Sequence, residues 1–195
     1  MDSNRKNAII VGVLILLAYS MLGTGNPDAK ILGMFLEAIS GAAVIGISII
    51  MFPLFKPYNE KISRWYIFFR IIEGSVMIIT GILFLSNNTQ LLAIRDGLWA
   101  GHTYVFIVAA LVFNYLLYIS KLIPKWLSIW GIIASVLLLI VNLLEVANMI
   151  PSMMILYLPM ITNEVVEALW LIVKGFNQSA ITSLNDKTDT KSGVF

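Results

Sequence analysis

The stretch from Trp126 to Val146, WLSIWGIIASVLLLIVNLLEV, carries a single charged side chain, Glu145. A hydrocarbon core of ~30 Å takes about 20 apolar residues of α-helix at ~1.5 Å rise each. Lipid offers no partner to a backbone N–H or C=O, so a run of this length satisfies its own backbone only as a helix. Barrel strands are excluded, because they alternate apolar and polar residues over about 10 positions and this run is continuous.

Working outward, five more apolar segments have the same character: Ala8–Leu22, Ile31–Phe52, Trp65–Leu85, Thr103–Ile119 and Ile155–Val173. The chain of 195 residues is 59% hydrophobic and 12% charged, about half the charge of an average soluble domain. Too few charges remain to clothe a water-facing surface. The fold class is therefore all-α, a polytopic membrane helix bundle with six transmembrane helices. Residues 1–176 make a single domain, and the polar tail 177–195 reads as disordered. The first segment is shortest, follows Arg5 and Lys6, and stops at Gly23, Gly25 and Pro27. No small-x-small cleavage site follows it, so it reads as a retained span and not a signal peptide.

Between the third and fourth segments, Ser86 to Gly101 reads as an outer connection, with Leu91–Trp99 as a short helix lying in the interface. Ala42 and Gly46, and Gly74 and Gly81, are small residues that let helices approach closely.

Orientation follows from the basic residues. In an alternating six-span chain, Arg5, Lys6, Lys56, Lys61, Arg64, Lys121, Lys125, Lys174, Lys187 and Lys191 fall on one side, and Lys30 and Arg95 on the other. The positive-inside rule places both termini in the cytoplasm. Trp65, Tyr66, Trp126 and Trp130 read as interfacial aromatics on that side, and Trp99 on the opposite one. The net charge of +2 does not point to nucleic acid, because the cations are distributed between apolar segments and form no single patch. The absence of cysteine excludes disulfides and thiolate chemistry.

Several linked motifs carry a family pattern: Phe69-Arg70-Ile71-Ile72-Glu73 in the third segment, Gly101-His102 at the fourth, Tyr118-Ile119-Ser120-Lys121-Leu122-Ile123-Pro124-Lys125-Trp126-Leu127 leading to the fifth, and Asn163-Glu164 with Ala168-Leu169-Trp170-Leu171-Ile172-Val173-Lys174-Gly175 in the sixth. In these the chain resembles the bacterial membrane family known as domain of unknown function 4386, from the first segment to Gly175. The resemblance implies a multi-span protein of a bacterial inner or plasma membrane and brings no activity or site residue with it. Asn163 departs from the glycine usual before the sixth-segment glutamate.

Ionisable groups inside a membrane cost about 2.5–3.5 kcal/mol each, so they face the protein interior and often mark function. Helical rise puts Arg70, Glu73, Asn114, Asn163, Glu164 and Glu167 at similar depth, one polar layer across three helices. Arg70/Glu73 and Glu164/Glu167 are each spaced i,i+3 and share a face. One arginine facing three glutamates leaves about two charges uncompensated, so either glutamates keep their protons or a cation sits among them. Pro159, one turn before Asn163, is expected to kink the sixth helix here. A second polar group, Glu37, His102, Asn142 and Glu145, lies toward the outer face. Convergence of Glu37, His102 and Glu145 would be required for a metal, and none is assigned.

Catalytic and cofactor signatures are missing: no H-E-x-x-H, no G-x-S-x-G, no phosphate loop and no dinucleotide fingerprint. The expected role is to bind or move a small solute or cation through the buried Arg/Glu layer, without a cofactor. The alternative is a non-catalytic structural or regulatory partner of another membrane protein or of itself, in which the layer only specifies packing.

Overall fold

The computed structural model describes residues 3–23 and 27–184. Six helices follow the six apolar segments: α1 (Ser3–Ala18), extended by a 3₁₀ turn over Tyr19–Gly23, α2 (Lys30–Phe55), α3 (Glu60–Phe84), α4 (Thr89–Ser120), α5 (Lys125–Val146) and α6 (Leu158–Val173), the last preceded by a 3₁₀ turn over Met154–Tyr157. Among the described residues there is no strand. By length and composition five helices are able to cross a membrane: α2, α3, α4, α5 and the unit Met154–Val173. At 16 residues α1 falls short of that length by itself, so the expected count of six spans becomes five by this measure.

The helices close a ring in chain order. Each of α1 to α5 packs on its successor, and α6 packs back on α1. Short connections make sequential neighbours antiparallel, as in up-and-down bundles. The outward faces remain apolar, with Ile31, Ile49, Ile82, Ile133 and Val173 all more than half exposed. Such a surface is a liability in water and suits lipid.

Two glycines set the closest backbone-to-backbone approach in the ring. A Cβ on Gly74 would stand 2.5 Å from the Gly41 carbonyl oxygen, and a Cβ on Gly41 would strike the Gly74 carbonyl. Backbone thus lies on backbone between α2 and α3, which only glycine permits. Gly74 and Gly81 act as expected of small residues, Gly81 meeting the Met34 backbone. Gly46 meets only the end of the Leu14 side chain, and the true partner on α2 is Gly41.

One end of the ring is filled. Ala8, Phe55, Tyr66, Leu117, Leu127 and Leu171, one from each helix, are all at most 1% exposed in a continuous apolar core. Tyr66 was expected at the interface; instead it is wholly buried, stacked on Phe113 with ring centroids 5.5 Å apart. Its aromatic body fills the core better than it would serve as an anchor.

Three further expectations are corrected. No separate interfacial helix occupies Leu91–Trp99, because α4 runs unbroken over 32 residues, ~48 Å against a ~30 Å hydrocarbon core. The cause is local: the Asn88 side chain accepts from Gln90 N at 2.8 Å and Leu91 N at 3.3 Å, an N-cap that starts the helix at Thr89, fourteen residues before the apolar run at Thr103. Pro159 makes no kink, since α6 begins at Leu158 and places the proline in its first turn, where the missing N–H is not needed. The tail is helical over 178–184, with Ala180, Ile181 and Leu184 buried in the same core. Asn177 clips it to the α4–α5 turn, N to Leu122 O at 2.9 Å and Nδ2 to Lys121 O at 2.7 Å. The expectation of disorder over 185–195 lies outside the described residues.

Candidate functional site

Opposite the filled end, the ring encloses a cavity of about 440 Å³ to which every helix contributes. Exposed Ser152 and Met154 line its mouth, and Arg70, Glu73 and Glu167, all at most 5% exposed, line its base. Helical periodicity explains the assembly. Arg70, Glu73 and Met77 recur at i, i+3 and i+7 on α3, and Met160, Glu164 and Glu167 at i, i+4 and i+7 on α6, so each set forms one inward stripe.

Arg70 Nη1 donates to Glu73 Oε1 at 3.2 Å and to Oε2 at 3.1 Å. Its guanidinium carbon lies 5.7 Å from the ring centroids of both Tyr66 and Phe113, within cation–π range. Its Nε has no hydrogen-bond partner among the described residues. Glu164 accepts a hydrogen bond from the Tyr19 hydroxyl at 2.5 Å. Glu167 is 1% exposed, and neither carboxylate oxygen has a partner among the described residues. A buried polar group without a partner carries the full cost of its desolvation. The lining thus holds three carboxylates and one guanidinium, and that guanidinium is engaged by Glu73.

The polar layer expected from depth divides in two. Arg70, Glu73, Glu164 and Glu167 share the cavity, whereas Asn114 and Asn163 do not line it. Asn114 Nδ2 donates to Ala110 O at 3.1 Å, and its amide packs where Gly131 lacks a side chain. Asn163 Nδ2 donates to Leu127 O at 3.1 Å, joining α6 to α5. Both asparagines therefore serve helix contacts.

The outer group does not assemble as one cluster. Glu37 pairs with Arg95 at 2.6 Å, Glu145 accepts from the Tyr157 hydroxyl at 2.7 Å, and Asn142 Nδ2 donates to Leu138 O at 2.8 Å. Of the four, only His102 lines the cavity, near its mouth and stacked on Trp99 at 5.2 Å between centroids. Its Nε2 is buried without a partner among the described residues. No three His, Asp or Glu side chains among those residues converge on a point fit for a metal.

Sequence reading missed Tyr19, Trp99 and Tyr157, which line the cavity, and Arg95, which pairs with Glu37 outside it. For α4 a signal existed: Arg95, Trp99, His102, Phe106 and Phe113 follow helical spacing on one face, visible once the helix is run through Gly97 and Gly101. Tyr19 and Tyr157 sit in 3₁₀ turns at helix ends, and nothing in their local sequence identifies a partner far along the chain.

A family model described as "Domain of unknown function (DUF4386)" matches the chain over residues 17–93 and 85–175. No curated protein and no solved structure matches it.

Proposed function

The chain belongs to the DUF4386 family, a family of unknown function, and carries five helices long and apolar enough to cross a membrane; from that premise we propose that it spans the membrane six times with both termini cytoplasmic and binds or moves a small solute or cation through its central cavity. One observation carries the reading: Glu167, buried at the base of a 440 Å³ cavity, presents two carboxylate oxygens without a partner among the described residues. Cavities of roughly 300–1,000 Å³ with a few convergent polar groups are the usual form of small-molecule sites.

Crossing by the first helix is supported by its contacts along α6. Arg5 donates to Leu171 O at 3.1 Å and Ile172 O at 2.7 Å, capping a helix C-terminus where a cation is favourable. Gly12 meets the Ala168 backbone, and Tyr19 reaches Glu164. With its 3₁₀ extension the helix reaches about 34 Å, enough for a hydrocarbon core. Orientation, and with it a place in the cell membrane, rests on the distribution of Lys and Arg.

Binding is tested by melting purified protein against a panel of small cations, anions and neutral solutes. The reading expects at least one stabilising solute whose effect disappears in Glu164→Gln/Glu167→Gln. A panel without response, or a response intact in that double variant, overturns it.

A second reading is favoured by the way Arg70 is held, with Nη1 on both Glu73 oxygens and two rings flanking the guanidinium. There the layer specifies packing, and the protein acts as a structural or regulatory partner of another membrane protein. Co-purification of one stoichiometric partner, with no solute response, supports that reading.

A further inference from the structure

We propose that the cavity takes an amphiphilic organic cation, with an ammonium-type head at Glu167 and Glu164 and an apolar body along the wall above them. The inference rests on the reading of the cavity as a binding site and names the class of its occupant.

Charge chooses the sign. The Arg70 charge is already paired with Glu73 on its own helix. Glu164 receives a neutral hydroxyl from Tyr19, which orients the carboxylate and brings no charge. Glu167 receives nothing from the described residues. An anionic head would add a negative charge beside two carboxylates that lack a cation, in a site of low dielectric where such repulsion is poorly screened. An ammonium brings both the charge and the N–H donors that the Glu167 oxygens lack, as a charge-assisted hydrogen bond.

Shape and wall chemistry decide the rest. A metal ion by itself would want several convergent oxygen or nitrogen ligands, and no group of three His, Asp or Glu among the described residues provides them. It would also leave most of 440 Å³ as water against Ile47, Met77, Phe106, Leu138 and Met160. An apolar body on those side chains removes that unfavourable contact. His102 Nε2, buried at the mouth without a partner among the described residues, offers one polar contact on the way in.

The test is calorimetric titration of the full chain in zwitterionic lipid nanodiscs with three probes of one shape: adamantylammonium, adamantanol and adamantane carboxylate. The ammonium is expected to bind at least about tenfold more tightly than the alcohol, and the carboxylate more weakly than either. Glu167→Gln is expected to erase the tenfold advantage and leave the alcohol unchanged. Glu164→Gln carries the same expectation should Glu167→Gln not fold. Leu138→Trp, which fills the wall, is expected to abolish binding of the ammonium. Alcohol or carboxylate binding as tightly as ammonium, yet lost in Leu138→Trp, overturns the cationic class and keeps the cavity as a site. Ammonium binding that survives Leu138→Trp and both glutamine variants overturns the inference and the site together. No binding by any probe overturns the inference alone, because the broader solute panel decides the site.

Discussion

The Tyr19 hydroxyl donates to Glu164 at 2.5 Å across 145 residues of chain, and this bond fastens the end of the first helix to the inner face of the sixth. It is also the neutral contact that orients one carboxylate of the cavity. Tyr19→Phe keeps the ring and deletes the donor, so Glu164 loses a bond in a half-buried site. The expected cost is about 1–3 kcal/mol, read as an earlier unfolding midpoint in a denaturing-detergent titration. An unchanged midpoint would mean that water replaces the hydroxyl at no cost and that the contact does not help close the ring.

The buried Arg70–Glu73 pair separates packing from binding. Removing one partner leaves an uncompensated buried charge, and Arg70→Met or Glu73→Leu by itself is expected to cost about 3–5 kcal/mol. The double variant Arg70→Met/Glu73→Leu removes both charges and fills the space with apolar atoms, so it is expected to recover most of that loss. A double-mutant cycle on unfolding midpoints measures the coupling. If the double variant is stable and still binds cations, the pair is a packing device and Glu164 and Glu167 alone form the binding end. If it folds and binding is gone, Arg70 takes part in the site.

Glycines in this fold differ in kind, and substitution shows it. At Gly74 a methyl group would stand 2.5 Å from a backbone oxygen, so α2 and α3 must separate; Gly74→Ala is expected to cost about 1–3 kcal/mol, as overpacked cores do. Nothing lies within 4 Å of a Cβ at Gly97, in the exposed part of α4. Gly97→Ala is expected to gain about 0.5–1 kcal/mol through lower backbone entropy in the unfolded chain. A loss at Gly97 would contradict a helix that continues through this position.

That continuity marks the limit of what the sequence disclosed. Six helical segments were legible because each is an apolar run of nearly bilayer length, and periodicity placed Arg70, Glu73, Glu164 and Glu167 on inward stripes. Depth alone grouped Asn114 and Asn163 with them, because rise along an axis says nothing of rotation about it; both turn to helix contacts. The outer residues failed as a group for a related reason. Placing Arg95 in a connection hid it from Glu37, which it meets at 2.6 Å only because Asn88 starts α4 so early. Tyr66 and the tail helix deceived in opposite ways, an aromatic near a helix end that is core and a polar stretch whose few apolar residues are also core.

The topology itself can be read chemically, since the chain has no cysteine and any introduced thiol reports a single site. Lys61 lies near the start of α3 and Lys174 just after α6, both exposed, and Lys6 is exposed on α1. Gln90 and Ser152, also exposed, belong to the end where the cavity has its mouth. With the orientation set by the basic residues, Gln90→Cys and Ser152→Cys are expected to react with an impermeant maleimide added to intact cells. Lys61→Cys and Lys174→Cys are expected to react only after the membrane is opened. Lys6→Cys decides the first helix. Labelling on the same side as Lys174→Cys fits a crossing α1 capped onto α6 by Arg5. Labelling from outside would separate Arg5 from the α6 C-terminus and leave five crossings, and the ring that encloses the cavity would then be open.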